Sequence, residues 1–127
     1  MKGIVVTTIN TMYIKDFGEP LYKSLGKEVG GRIEVVHPRR LYAPFVPFVM
    51  IVNEEGRLEG LPQNAFGSFL YGTRIHGEPI VGNIIILQEG FVNGERDIIG
   101  LDDNLARYVI DKISDITGGK ITEVEVP

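Results

Sequence analysis

Few side chains in this 127-residue sequence can do chemistry, and their types point to binding more than to bond breaking. Cysteine is absent and histidine is limited to His37 and His76, so one chain lacks the ligands for a tight transition-metal site. No P-loop pattern occurs, and no G-x-G-x-x-G follows a strand-like run. Ser24, Ser68 and Ser114 all fall in helix-like stretches, away from any nucleophile elbow. Glu54 and Glu55 are neighbours on a turn and diverge, whereas acid–base work needs two carboxylates facing one substrate. His76, beside Gly77 and Glu78, is either a lone candidate base or an exposed loop residue.

Arginine and amide groups carry the rest of the case. Net charge is −4, yet from Arg32 to Arg74 five arginines stand against four glutamates, while from Glu89 onward nine acids face four bases. The central arginines are either a solvated face or a site for a small anion. The acidic balance argues against duplex DNA, which demands a basic face and many phosphate contacts. The stretch Pro38 to Pro47, PRRLYAPFVP, mixes Arg39 and Arg40 with Tyr42 and Phe45. A nucleotide wants such a mixture, a flat ring for its base and guanidinium forks for its phosphates. The same aromatics could instead plug the core edge or a subunit interface. Asn53 and Asn64 offer amide edges that can meet an adenine, or serve as a turn former and a helix cap. Arg57, directly after Gly56, is the first choice for an anion contact, with a solvated strand residue as the alternative. The candidate ligand-binding set is Arg39, Arg40, Tyr42, Asn53, Arg57, Asn64, Tyr71 and Arg74. No catalytic residue, cofactor or metal is expected.

These residues need a scaffold. Residues 1–127 read as one domain, a length at which about two thirds of the unfolded surface becomes buried. Hydrophobic residues make up 43%, no run approaches a membrane span, and the N-terminus has no charged-then-apolar leader. Strands are expected over Met1–Asn10, Arg32–His37, Phe48–Val52, Arg57–Leu61, Asn83–Gln88 and Ile121–Val126. Thr11 to Gly18 reads as a linker, and Glu89 to Glu95 as a hairpin loop turning at Asn93-Gly94. Pro20 opens a helix that Gly30-Gly31 stops. Ala65, Phe66, Phe69 and Leu70 share one face of a central helix ending at Gly72. Asp102 or Asp103 caps a third helix, whose Leu105, Ala106, Val109, Ile110, Ile113 and Ile116 form a wide stripe facing the sheet or a second subunit. The expected fold is α+β, a small and largely antiparallel sheet of five to six strands with N-terminal, central and C-terminal helices.

The block from Asn53 to Asn64, NEEGRLEGLPQN, together with GEPIVGNIII from Gly77 to Ile86, carries a resemblance. With Gly30-Gly31 ahead of the second strand, the chain from about Gly3 to Gly100 resembles the phage Thoeris anti-defence sponge proteins. The resemblance implies a homodimer or higher homo-oligomer in the cytoplasm of an infected bacterium. It would hold glycocyclic ADP-ribose isomers, or cyclic di- or trinucleotides, intact and away from their receptor. The block serves as a family signature and assigns no role to single positions. Two further readings stand beside it, an acidic DNA mimic that blocks restriction and a small hydrolase of a nucleotide signal.

Overall fold

The computed structural model describes residues 1–73 and 78–118, and the backbone of 122–123. The elements run β1 (Lys2–Val6), β2 (Thr11–Asp16), α1 (Leu21–Val29), β3 (Ile33–Val36), β4 (Phe48–Asn53), α2 (Ala65–Tyr71), β5 (Ile84–Val92), β6 (Glu95–Ile99), α3 (Asp103–Ile116) and β7 (Thr122–Glu123). The sheet order is β3-β4-β5-β1-β2-β7, with β6 pairing the distal half of β5. All described pairings are antiparallel except the two-residue match of β7 with β2. The fold is α+β with the three helices where the sequence pattern puts them.

Both faces of the sheet are covered, and that explains the strands' composition. Val5, Val49, Ile51, Ile85 and Leu87 pack with Leu25 and Val29 of α1. The alternate residues Ile4, Val6, Met50, Val52, Ile84 and Ile86 pack on the other face with Leu70 of α2 and with α3. A strand buried on both faces has no polar side to alternate, so β4 and the first half of β5 read as continuous apolar runs. The stripe on α3 is covered within the chain: Ala106, Val109, Ile110 and Ile113 are buried in the second of these cores.

Helix ends follow the expected chemistry. Asp102 accepts a hydrogen bond from the Leu105 N–H at the start of α3. Gly30 and Gly72 end α1 and α2 in the left-handed conformation. Asn93 and Gly94, at φ 53° and 79°, make the tight turn between β5 and β6.

Three sequence-based assignments change. Arg57–Leu61 is a run of turns, not a strand, and β4 pairs with β3 and β5 instead. That segment bonds to itself, Glu59 N–H to Glu55 O and Leu61 N–H to Gly56 O, and Leu58 is 89% exposed, so it has no face to bury. Residues 89–92, expected as loop, continue β5 against β6. Thr11–Asp16, expected as linker, is β2: Asn10 turns the chain at φ 64° and Thr7 N–H donates to Thr11 O. Of the last expected strand only 122–123 lie among the described residues.

The reassigned β2 holds α1 in place through a polar cluster. The Tyr13 hydroxyl donates to one carboxylate oxygen of Glu28 on α1, and Lys15 Nζ donates to the other at 2.9 Å. Burial, then the Glu28 carboxylate, raise the Tyr13 hydroxyl above the ordinary phenol range. A folded value raised above the unfolded one gives stability that is complete below about pH 10 and is lost as pH rises through the folded value. Ultraviolet titration should show one of the five tyrosines ionising late, together with alkaline unfolding, and Tyr13→Phe should abolish that late step. Two-sided burial gives a second prediction. Ile85→Ala and Ile86→Ala, adjacent residues in different cores, should each lose about 2–5 kcal/mol in urea unfolding. A sheet with one wet face would make one of the two nearly neutral.

Candidate functional site

The sequence candidates do not gather in one place. Arg57, Tyr71 and Asn53 come together at a cleft of about 270 Å³ beside the end of β4. Glu34, Glu54 and Glu78 line the same cleft, so among the described residues three carboxylates stand against one guanidinium. Arg57 is moreover paired with Glu78. A phosphate reaching Arg57 here would have to displace Glu78 and would meet the like charge of the other described carboxylates.

Both asparagines have structural duties. Asn53 Nδ2 donates to Val29 O at the end of α1, and its Oδ1 accepts from Glu55 N–H at 2.9 Å. Asn64 is fully buried at the N-cap of α2. Its Oδ1 accepts from Gly67 N–H at 2.8 Å, and its Nδ2 donates to Val6 O at 2.9 Å and Gly82 O at 3.0 Å. Both amide protons are committed, so Asn64 has none left for an adenine edge.

Arg39 and Arg40 lie on the turn after β3, and neither forms an ion pair with a described carboxylate. The Arg40 guanidinium carbon sits 4.4 Å from the centre of the Phe69 ring, and the Arg40 N–H donates to Leu70 O. Together they border a recess of about 490 Å³ along α2, floored by Ala65, Ser68 and Gly72. Stacking holds the guanidinium plane over the ring while leaving its edge N–H groups for an oxyanion. Ser68 is no nucleophile there, since its hydroxyl donates to Ile80 O and accepts from Ile80 N–H. Sequence reading saw Phe69 only as a helix-face residue. Its pairing with Arg40 depends on the turn after β3 meeting α2, which spacing alone does not show.

Tyr42 lines neither recess. It is 70% exposed, and its carbonyl accepts from the Tyr108 hydroxyl. Arg74 and His76 lie outside the described residues. A third recess, about 480 Å³, is flanked by exposed Phe45 and Phe91, with Glu89 held between His37 at 3.3 Å and Arg96 at 3.5 Å. Among the described residues no cluster of three or more His, Asp or Glu side chains is placed to hold a metal ion.

Residues 1–114 match the family described as Domain of unknown function (DUF3846). The chain belongs to the DUF3846 family. No curated protein and no solved structure matches it. The family match covers both the Arg40–Phe69 recess and the acidic cleft of this DUF3846 chain, and ends within α3.

Stability separates the structural amide from the surface ion pair. Asn64→Ala removes a cap worth about 1 kcal/mol and orphans two buried carbonyls, so chemical denaturation should show a loss of about 3 kcal/mol or more. Arg57→Ala breaks a pair whose members are 57% and 58% exposed, and should change stability by less than about 1 kcal/mol.

Proposed function

We propose that this protein is a non-catalytic binder that captures a small nucleotide-type signal and holds it intact. The observation that carries the reading is the Arg40 guanidinium stacked on Phe69 at the mouth of an apolar recess of about 490 Å³. That volume lies within the range of small-molecule sites, roughly 300–1,000 Å³. Arg39 adds a second guanidinium next along the chain, and no described carboxylate neutralises either one. A base stacks on an aromatic ring and phosphates take guanidinium forks, so the recess suits a ligand with both.

Resemblance to the phage Thoeris anti-defence sponges supplies the first ligands to try, glycocyclic ADP-ribose isomers, with cyclic di- and trinucleotides next. Sequestration of such a signal in the cytoplasm of an infected bacterium would silence Thoeris defence. The protein acts in this reading as a homo-oligomer, at least a dimer. Exposed Phe45 and Phe91 support that part, with relative exposures of 104% and 74% on one recess.

Calorimetric titration of glycocyclic ADP-ribose tests the reading. Wild type should bind, and Arg40→Ala and Phe69→Ala should each weaken binding roughly 10- to 100-fold, the equivalent of about 1.5–3 kcal/mol. Arg57→Ala should leave affinity unchanged. Ligand recovered intact after denaturation supports a sponge, and a cleaved product would make the protein a hydrolase. Failure of the folded wild type to bind any of these cyclic nucleotides would end the proposal.

A further inference from the structure

The sheet ends at β3, and the hydrogen-bond phase of that strand determines what its outer edge offers. Glu54 N–H donates to Arg32 O at 2.8 Å, and β3 pairs with β4 in the register Ile33↔Asn53, Glu34↔Val52, Val35↔Ile51. In an antiparallel ladder every second residue bonds inward, so Arg32, Glu34 and Val36 face β4. Ile33 and Val35 therefore turn their N–H and C=O groups outward, where no strand among the described residues meets them. Val35 is 41% exposed, and β3 carries neither a proline nor a bulge to blunt the edge.

Each face of this edge opens on a recess. On the α2 side Glu34 and Val36 border the acidic cleft. On the α1 side Ile33 borders a recess of about 560 Å³ with Tyr22, Lys23 and Lys27. An added strand would send alternate side chains into the two recesses. Their charges differ in sign. Arg32 pairs with Glu54 and Arg57 with Glu78, which among the described residues leaves Glu34 without an ion pair on one side, and Lys23 and Lys27 without one on the other.

This difference selects the occupant. Antiparallel pairing of β3 with β3 of a second copy runs about a twofold axis perpendicular to the sheet, which sets each face beside the same face. In the register that sets Glu34 opposite Glu34 the two carboxylates would adjoin, and the lysines of both copies would share one face. We propose that the β3 edge docks an extended segment of another protein, added antiparallel, with basic side chains toward Glu34 alternating with acidic ones toward Lys23 and Lys27. In that arrangement the acidic residues lie opposite Ile33 and Val35, so their amides make the backbone bonds. This surface is independent of the Arg40–Phe69 recess.

A fluorescent eight-residue peptide of strictly alternating Lys and Glu serves as the probe, followed by anisotropy. It should bind saturably, and a same-composition peptide in Lys-Lys-Glu-Glu order should bind at least about tenfold more weakly. N-methylation of the Glu amides should abolish binding, and N-methylation of the Lys amides, which face solvent, should be tolerated. Val35→Pro removes an N–H that lies outside the β3–β4 ladder and should abolish binding while thermal unfolding stays cooperative. Glu34→Lys, at an exposed position, tests the charge without touching the backbone and should weaken binding at least about tenfold. No saturable binding up to about 1 mM overturns the proposal, since weaker association lies below specific recognition. Equal binding by the control peptides and by Glu34→Lys also overturns it. So does a homodimer that dissociates on Glu34→Lys or Val35→Pro.

Discussion

Asn64 is where the separate parts of the chain are tied together. Its one amide reaches the last residue of β1, the segment that leads into β5, and the first turn of α2. A buried amide this well satisfied stabilises modestly in net terms, but each buried carbonyl it serves would be left without that partner if it were lost. The connection also fixes α2 at one position over the sheet. Ser68 extends it by bonding both backbone groups of Ile80, so the helix and the approach to β5 move as one body. Phe69 and Tyr71, on the same short helix, are thereby aimed in two directions, one at Arg40 and the other at the acidic cleft.

From that fixed helix follows the division between the two arginine sites. Local sequence treats Arg40 and Arg57 alike, as exposed cations beside turns. What distinguishes them is which carboxylates the fold delivers. Glu78 arrives beside Arg57 from the strand-entry segment, and Glu34 and Glu54 come from two other places. Arg40 meets an aromatic ring and, among the described residues, no acid. Charge at a site is a sum over tertiary neighbours, so an arginine count along the chain cannot locate an anion site even when it finds the right region.

The same reasoning explains what could be read in advance. Helices α1 and α3 were legible because caps, glycine stops and a 3.6-residue apolar period are local signals. Runs such as Phe48–Val52 and Ile84–Leu87 were legible as strands because two-sided burial leaves only apolar residues. The errors lie where a segment is half wet. Thr11–Asp16 carries Lys15, Asp16 and a polar Tyr13, and its strand character rests on Met12 and on Asn10 turning the chain, too little pattern in six residues. Arg57–Leu61 had the opposite defect: placed just after a turn it read as a returning partner strand, yet with Gly60 at φ 71° the segment bonds to itself. Asn53 and Asn64 were recognised as a turn former or a cap as well as ligand groups, and only burial decides between those uses.

An exposed edge strand raises the question of why the fold tolerates it. Most sheets protect such an edge with a proline, a bulge or an inward charge, because open N–H and C=O groups recruit any passing strand. Here the protection is selective. At only four residues, β3 gives a hydrophobic strand little length to zip onto, and Glu34 faces any partner that brings its own acid to that side. The lysines of α1 impose the reverse demand on the opposite face. A second copy paired with Glu34 opposite Glu34 fails both demands, and so does a uniformly apolar segment, which would leave those charges facing its side chains without a counter-ion. The edge is thus open in hydrogen bonding and closed by electrostatics to all but an alternating partner. That combination is a specificity device and not a neglected border of the sheet.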